Sequence, residues 1–262
     1  MLNFYYSFVL KRHADKKIKR NSTYMKKNLL KITTISLLCF GISVSSQSKV
    51  RIGLDAGYTY NVMHANLSNL VDSKYSGRYG FGVNLSGEYM VWKTFFVATG
   101  VSYLQKNYKF ERLGSRAGWY TDYQNSFLSF PLLAGVYVLN NPHEKDGLWI
   151  KLAGGMYTEY RLQMKRKGQY PVFSELQLDG TFNYTRVSDT YDFKTNENEL
   201  NRWGYGLHGQ AQLGYSFGKL GAYAAYNYQY GLSDISKVND DKEKKMSIRS
   251  YMLSLGISYK FD

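Results

Sequence analysis

The sequence predicts an all-β fold, an eight-stranded antiparallel up-and-down transmembrane β-barrel, preceded by an export signal. Three observations predict it. Apolar and polar residues alternate with a period of two in eight separate runs, the pattern of strands whose two faces meet different surroundings. The runs are mostly ten or more residues long, close to the ~9–11 residues that a tilted strand needs to cross a bilayer. The segments between them are alternately short and long, as in outer-membrane barrels, where the short turns face the periplasm.

The N-terminal stretch MKKNLLKITTISLLCFGISVSSQ, Met25 to Gln47, has a basic start at Lys26 and Lys27 and a mostly apolar centre from Ile32 to Val44. Val44 and Ser46 stand at −3 and −1 before Gln47, so residues 25–46 read as a secretory signal peptide. Residues 1–24 are expected to be an over-called start or an extended n-region, and residues 47–262 the outer-membrane barrel domain. A transmembrane helix would need ~20 apolar residues, and Thr33, Thr34 and Ser36 interrupt this stretch. The single cysteine, Cys39, would leave with the signal, and Leu38 is not the small residue that a lipoprotein site requires. The mature chain then folds without a disulfide.

Charge narrows the function classes. Residues 1–46 hold nine basic residues against Asp15 alone, +8 of the chain's +14. The remaining +6 is spread thinly along the mature chain, so there is no basic stripe and no nucleic acid is expected as a partner.

The strands follow in order. VRIGLDAGYTYNV (Val50 to Val62) sets Val50, Ile52, Leu54, Ala56, Tyr58 and Tyr60 against Arg51, Gly53, Asp55, Gly57 and Thr59. The second run is Gly77 to Val91, the third Phe95 to Tyr103, the fourth Phe127 to Leu139 and the fifth Leu148 to Arg161. Arg202 to Tyr215, Leu220 to Gly231 and Ser247 to Phe261 complete the eight. Trp92 to Thr94, Asn140 to Gly147 and Ser216 to Lys219 are the short connections. Met63 to Ser76, Gln105 to Tyr123, Leu162 to Asn201 and Leu232 to Met246 are the long, polar ones.

Composition decides which face meets lipid. Glycines and most strand charges (Arg51, Asp55, Arg78, Glu88, Lys151, Glu159, Arg161, Arg202, Lys260) share the polar face, which suits the crowded lumen of an eight-stranded barrel. Aromatics gather at the ends of the apolar face: Tyr58, Tyr60, Tyr79 and Tyr103 towards the long loops, and Tyr89, Trp92, Phe95, Tyr215, Phe217, Tyr259 and Phe261 towards the short turns. Two such belts mark the membrane interfaces. Leu54 therefore points at lipid and Asp55 into the lumen; if the residue numbers paired in the first hairpin sum to 139, Val50 faces Tyr89 and Arg51 faces Glu88, and a slip by two keeps the faces but moves the partner to Ser86 or Met90.

Several stretches resemble the PorT-like outer-membrane β-barrel family: ATGVSY (Ala98 to Tyr103), FLSFPLL (Phe127 to Leu133), YNYQYGLSDI (Tyr226 to Ile235) and the terminal GISYKF (Gly256 to Phe261). Ser129 stands where the fourth-strand pattern often has Glu, and Asp262 follows the Phe that usually ends the chain. The resemblance implies the outer membrane as location and secretion-system components as partners.

Residues with chemical potential are few. His208 is the one mature histidine expected inside the barrel, beside Gln210 and Gln212. Without a second ligand at metal-binding spacing it reads as a hydrogen-bonded lumen residue. His64 and His143 are expected in a loop and a turn. Ser126, His64 and Asp122 supply the types needed for a lipid A-modifying acyl-transfer or deacylating enzyme, but no spacing brings them together. A minor solute pore is the other alternative, and eight strands leave a lumen that side chains fill. The loop 162–201, with Lys165, Arg166 and Lys167, six aromatics and an Asp179-Gly180 hairpin signal, is either a strand extension above the membrane or a partner surface. The expected protein is therefore a monomeric, non-enzymatic barrel without cofactor, metal or catalytic residues. Its expected role is structural, binding or secretion-accessory, and its partners are outer-membrane lipids and, during biogenesis, the barrel-assembly machinery.

Overall fold

The computed structural model of the protein describes residues 49–67, 70, 72–176, 182–196, 198–237 and 245–261. The expected signal peptide, Cys39, the cut at Gln47, the Asp179-Gly180 pair and Asp262 lie outside the described residues. Ten strands form one antiparallel sheet: β1 (Val50–His64), β2 (Ser73–Trp92), β3 (Phe95–Gln105), β4 (Tyr108–Arg112), β5 (Tyr120–Leu139), β6 (Gly147–Leu176), β7 (Phe182–Thr190), β8 (Trp203–Phe217), β9 (Leu220–Gly231) and β10 (Ser247–Phe261).

Eight of the ten close the ring. β1, β2, β3, β5, β6, β8, β9 and β10 pair in that order, and β10 pairs back onto β1. Starting at Arg51, the partners run through Glu88, Ala98, Leu133, Gly155, His208, Gln229 and Ser250 to Asn61, so one circuit advances ten residues along β1. That stagger tilts the strands towards the upper part of the ~35–45° typical of barrels and leaves no free edge.

Of the two remaining strands, β4 corrects the connection expected over 105–123, and β7 makes the segment 162–201 the strand extension that is one of its two expected readings. β4 continues β3 after a break at Lys106 and Asn107, pairing with the outer ends of β2 and β5. β7 pairs with the distal half of β6. Thus residues 105–123 and 162–201 are in large part strand, and a sheet of β2, β4, β5, β6 and β7 rises above the membrane span. The strands run further than the bounds expected for them because above the membrane no lipid demands a continuous apolar face.

The faces are as the alternation required. Leu54 is 48% exposed while Asp55 is 3% exposed, and Tyr58 and Tyr79 are 75% and 73% exposed. Trp92, Phe95, Tyr215, Phe217, Tyr259 and Phe261 are exposed at the short-turn end. The inner wall is built for large inward side chains. A Cβ on Gly53 would stand 2.7 Å from the Tyr223 hydroxyl, and Gly214 lies directly against the Trp149 ring, so a bulkier residue at either position would displace the aromatic. No helix among the described residues is long and apolar enough to cross a membrane, which says nothing about spanning by strands.

Candidate functional site: a closed, charged lumen

The first hairpin has the expected register, with Val50 opposite Tyr89 and Arg51 opposite Glu88. The expected partnership of those two charges needs correction. Arg51 does not bond Glu88; its Nη1 donates to the Tyr137 hydroxyl at 3.2 Å and its Nη2 to Ser258 Oγ at 2.6 Å. Its guanidinium lies over the Trp149 ring, 4.2 Å from the centroid. Glu88 instead accepts from Lys151 Nζ at 2.5 Å and from the Tyr137 hydroxyl. Tyr137 thereby links the two charges.

A third partner of Glu88 comes from outside the wall. His143, expected as a solvated turn residue, has a side chain only 4% exposed, with Nε2 3.2 Å from Glu88 Oε1. The turn carrying it folds under the barrel: Asn141 is buried and its Nδ2 donates to the Lys93 carbonyl at 2.9 Å, while Lys260 Nζ donates to the Pro142 carbonyl at 3.3 Å. His208 is therefore not the one inward histidine. The signal that could have shown this is Asn-Asn-Pro-His, a compact turn with side-chain acceptors of its own. Asn141 Oδ1 accepts from the His143 amide at 3.0 Å and fixes the turn.

Trp149, wholly buried, forms the floor with Tyr137 and Tyr223 at ring distances of 5.9 and 6.1 Å. Above it Asp55 accepts from Asn84 Nδ2 at 2.7 Å and the Tyr223 hydroxyl at 3.0 Å. A second charged layer closes the other end. Lys106, at 0% exposure, donates to Glu159 at 2.5 Å and sits over the Tyr157 and Phe127 rings. Arg161, also buried, covers the other part of Phe127 at 5.1 Å. Lys106, in the connection expected over 105–123, keeps the inward parity of Ser102 and Leu104 on β3 and lies just past the end of that strand.

Beside the Glu88 layer lies a small chamber of mixed lining, with Asp55, Asn84, Lys151, His208 and Asn227 among its polar residues and Ala98 and Leu133 among its apolar ones, and room for water-sized molecules over about 30 Å³. His208 is the hydrogen-bonded lumen residue expected: Nε2 is 3.2 Å from Asn227 Oδ1, to which Gln210 also donates at 2.8 Å. His208 Nδ1 and Asn227 Nδ2 have no protein partner, so the chamber suits a few waters or a small polar solute. No cluster of metal-ligating residues occurs among the described residues.

The remaining candidates are dispersed. Ser126 faces outward and shares a hydrogen bond of 2.9 Å with the Tyr103 hydroxyl. Asp122 pairs with Arg78 at 3.2 Å, half exposed at the rim, so Arg78 is not the lumen charge expected. His64 ends β1 opposite Ser247. None of Ser126, Asp122 and His64 bonds another.

Over residues 45–237 the sequence matches the family described as outer membrane protein beta-barrel domain. The chain belongs to that family. Its members' location, the outer membrane, is thereby this barrel's location, and the belts described above are its two interfaces. No curated protein matches the sequence. Among solved structures, the chain is similar to OprG from Pseudomonas aeruginosa at 12% identity and a TM-score of 0.47, covering 84% of this chain and 99% of that one. It is similar to the outer membrane protease OmpT from Escherichia coli at 9% identity and 0.48, over 84% and 99%. Neisserial surface protein A matches at 15% and 0.41, over 83% and 100%.

Proposed function

We propose that this outer-membrane barrel is a closed, non-enzymatic anchor that acts by binding, and that its extracellular sheet presents the binding surface. The observation that carries this reading is the lumen. Two layers of buried ion pairs and aromatic rings, one around Glu88, Lys151 and Trp149 and one around Lys106, Glu159 and Arg161, block both ends of the lumen, in which the chamber measures only about 30 Å³. A conduit would need a continuous wetted path, which open channels obtain from about twice as many strands.

The distal halves of β5 and β6 with β4 and β7 give the reading its second support. Their sheet stands beyond the aromatic belt, where a partner reaches it without entering lipid. The PorT-like features of the third, fourth, seventh and eighth runs favour a component of protein secretion as that partner. Purified barrel in planar bilayers is expected to give no steady conductance, and cells lacking residues 167–188 are expected to keep a folded barrel while changing their secreted-protein profile. Sustained unitary conductance from the wild-type barrel overturns the closed-anchor reading. An unchanged secretion profile in the deletion strain removes the secretion assignment.

A further inference from the structure

Towards the long-loop end the outward positions of the wall turn polar, as at Arg249 and Ser247 on β10 and His64 on β1, and on one side they form a concavity. Below that level the outward positions run from aliphatic residues to the aromatic belt. On β3, β5 and β6 they continue above Tyr103 into Gln105, Asn107, Ser126, Gln163 and Lys165, which line a concavity of about 340 Å³.

Two backbone irregularities at the same height produce it. Between β3 and β4 the ladder is interrupted: Asn125 N donates to the Asn107 side chain at 3.1 Å, and Asn125 Nδ2 donates to the Lys106 carbonyl at 3.1 Å. Beside it, the β5–β6 register shifts between Ser126 and Phe127, whose partners are Gln163 and Arg161. Leu162 is the extra residue of that bulge, and a bulge re-aims the side chains that follow it. Gln163 and Lys165 are thereby carried round onto the outward face.

The chemistry of the lining is that of a sugar phosphate site. Amides and the hydroxyls of Ser126 and Tyr103 both donate and accept, as polyol recognition requires. The Lys165 ammonium has no ion-pair partner among the described residues, so its charge is available to an anion. Directly below, the same wall shows Val101 and Phe130 to the hydrocarbon, both more than a third exposed. A ligand seated here has a polar, anionic end above the belt and an apolar end beneath it.

We infer that the concavity bounded by Tyr103, Gln105, Ser126, Gln163 and Lys165 binds the phosphorylated sugar head group of an outer-leaflet glycolipid. Its acyl chains lie along the Val101 and Phe130 side of the barrel, and the lipid remains with the protein when bulk lipid is exchanged for detergent.

Native mass spectrometry of the mature barrel, titrated with bis-phosphorylated lipid A in detergent, tests this. Wild type is expected to hold one lipid, with Lys165→Ala about tenfold weaker and Lys165→Arg close to wild type. Lys194→Glu, a larger charge change at an exposed turn, is expected to leave binding unchanged. Heat-modified gel mobility identifies variants that have folded, and Gln163→Ala provides a second probe of the same concavity. Equal affinity of wild type, Lys165→Ala and Gln163→Ala overturns the site. Equal affinity for lipid A without its phosphates overturns the anionic head group, and inorganic phosphate competing at the lipid's own concentration overturns a membrane source.

Discussion

At the scale of single residues, the lumen charges are costly to bury and are tolerated because each has a partner fixed by the wall. Glu88 takes Lys151, Tyr137 and His143 together. Removing one partner of a buried pair leaves an uncompensated charge and costs roughly 3–5 kcal/mol. Glu88→Ala is therefore expected to lower the denaturant midpoint of the refolded barrel strongly, whereas Lys74→Ala, at an exposed pair with Glu111, should stay within about 1 kcal/mol. Unfolding curves in one detergent compare the two. The opposite face obeys the opposite rule: Leu54→Arg puts a charge into hydrocarbon at roughly 2–4 kcal/mol near the midplane. Reduced membrane assembly is the expected result. A cysteine at position 55 should resist a lipid-soluble thiol reagent that labels one at position 54.

At the scale of elements, irregular points carry more information than regular strands. The β3–β5 ladder passes from Thr99 opposite Leu132 to Ser102 opposite Ser129 without the pairs between, since Pro131 has no N–H to offer. Thr99 Oγ1 donates to the Pro131 carbonyl at 2.9 Å and ties the strands there. Above the membrane, β4 is held by charge. Glu111 accepts from Lys109 and Ser76, and these hydrogen bonds, the Lys109 one foremost, draw its carboxyl down to about 2 from an ordinary 4.5. A depressed carboxyl contributes stability that is fully present above the unfolded value and is lost as pH falls through the folded one. Amide exchange in β4 should thus accelerate between pH 4.5 and about 2 while the amides of β1, laddered to β2 and β10 on both sides, stay protected. Glu111→Gln is expected to abolish that step.

At the scale of the whole molecule, closure with a stagger of ten residues makes the lumen one packed core of charges, rings and glycines, with the turn of Asn141 and His143 as its lower plug. Opening it should require removing the floor itself. Trp149→Ala with Arg51→Ala is expected to convert a silent barrel into a leaky one in planar bilayers, provided gel mobility shows that it still folds. A double variant as silent as wild type would place the seal in the Lys106 layer instead.

Much of this was legible in the sequence. Two-residue alternation with glycine and charge on one side and aromatics at the ends of the other set the fold, the eight ring strands and the lipid face. Each of these depends on neighbours along the chain, whereas the choice of Glu88 over Ser86 or Met90 opposite Arg51 depends on the pairing itself. The charge partners were not legible. Lys151 reaches Glu88 from β6, two ring positions beyond β3, and Glu159 of the same strand reaches Lys106 at the break between β3 and β4. His143 enters from a turn that local composition reads as solvated. The outward concavity at Lys165 likewise depends on a bulge at Leu162 meeting the β3–β4 break at one height. Period and composition fix which way a strand faces; only ring closure, with its particular stagger, decides which side chains then stand within bonding distance.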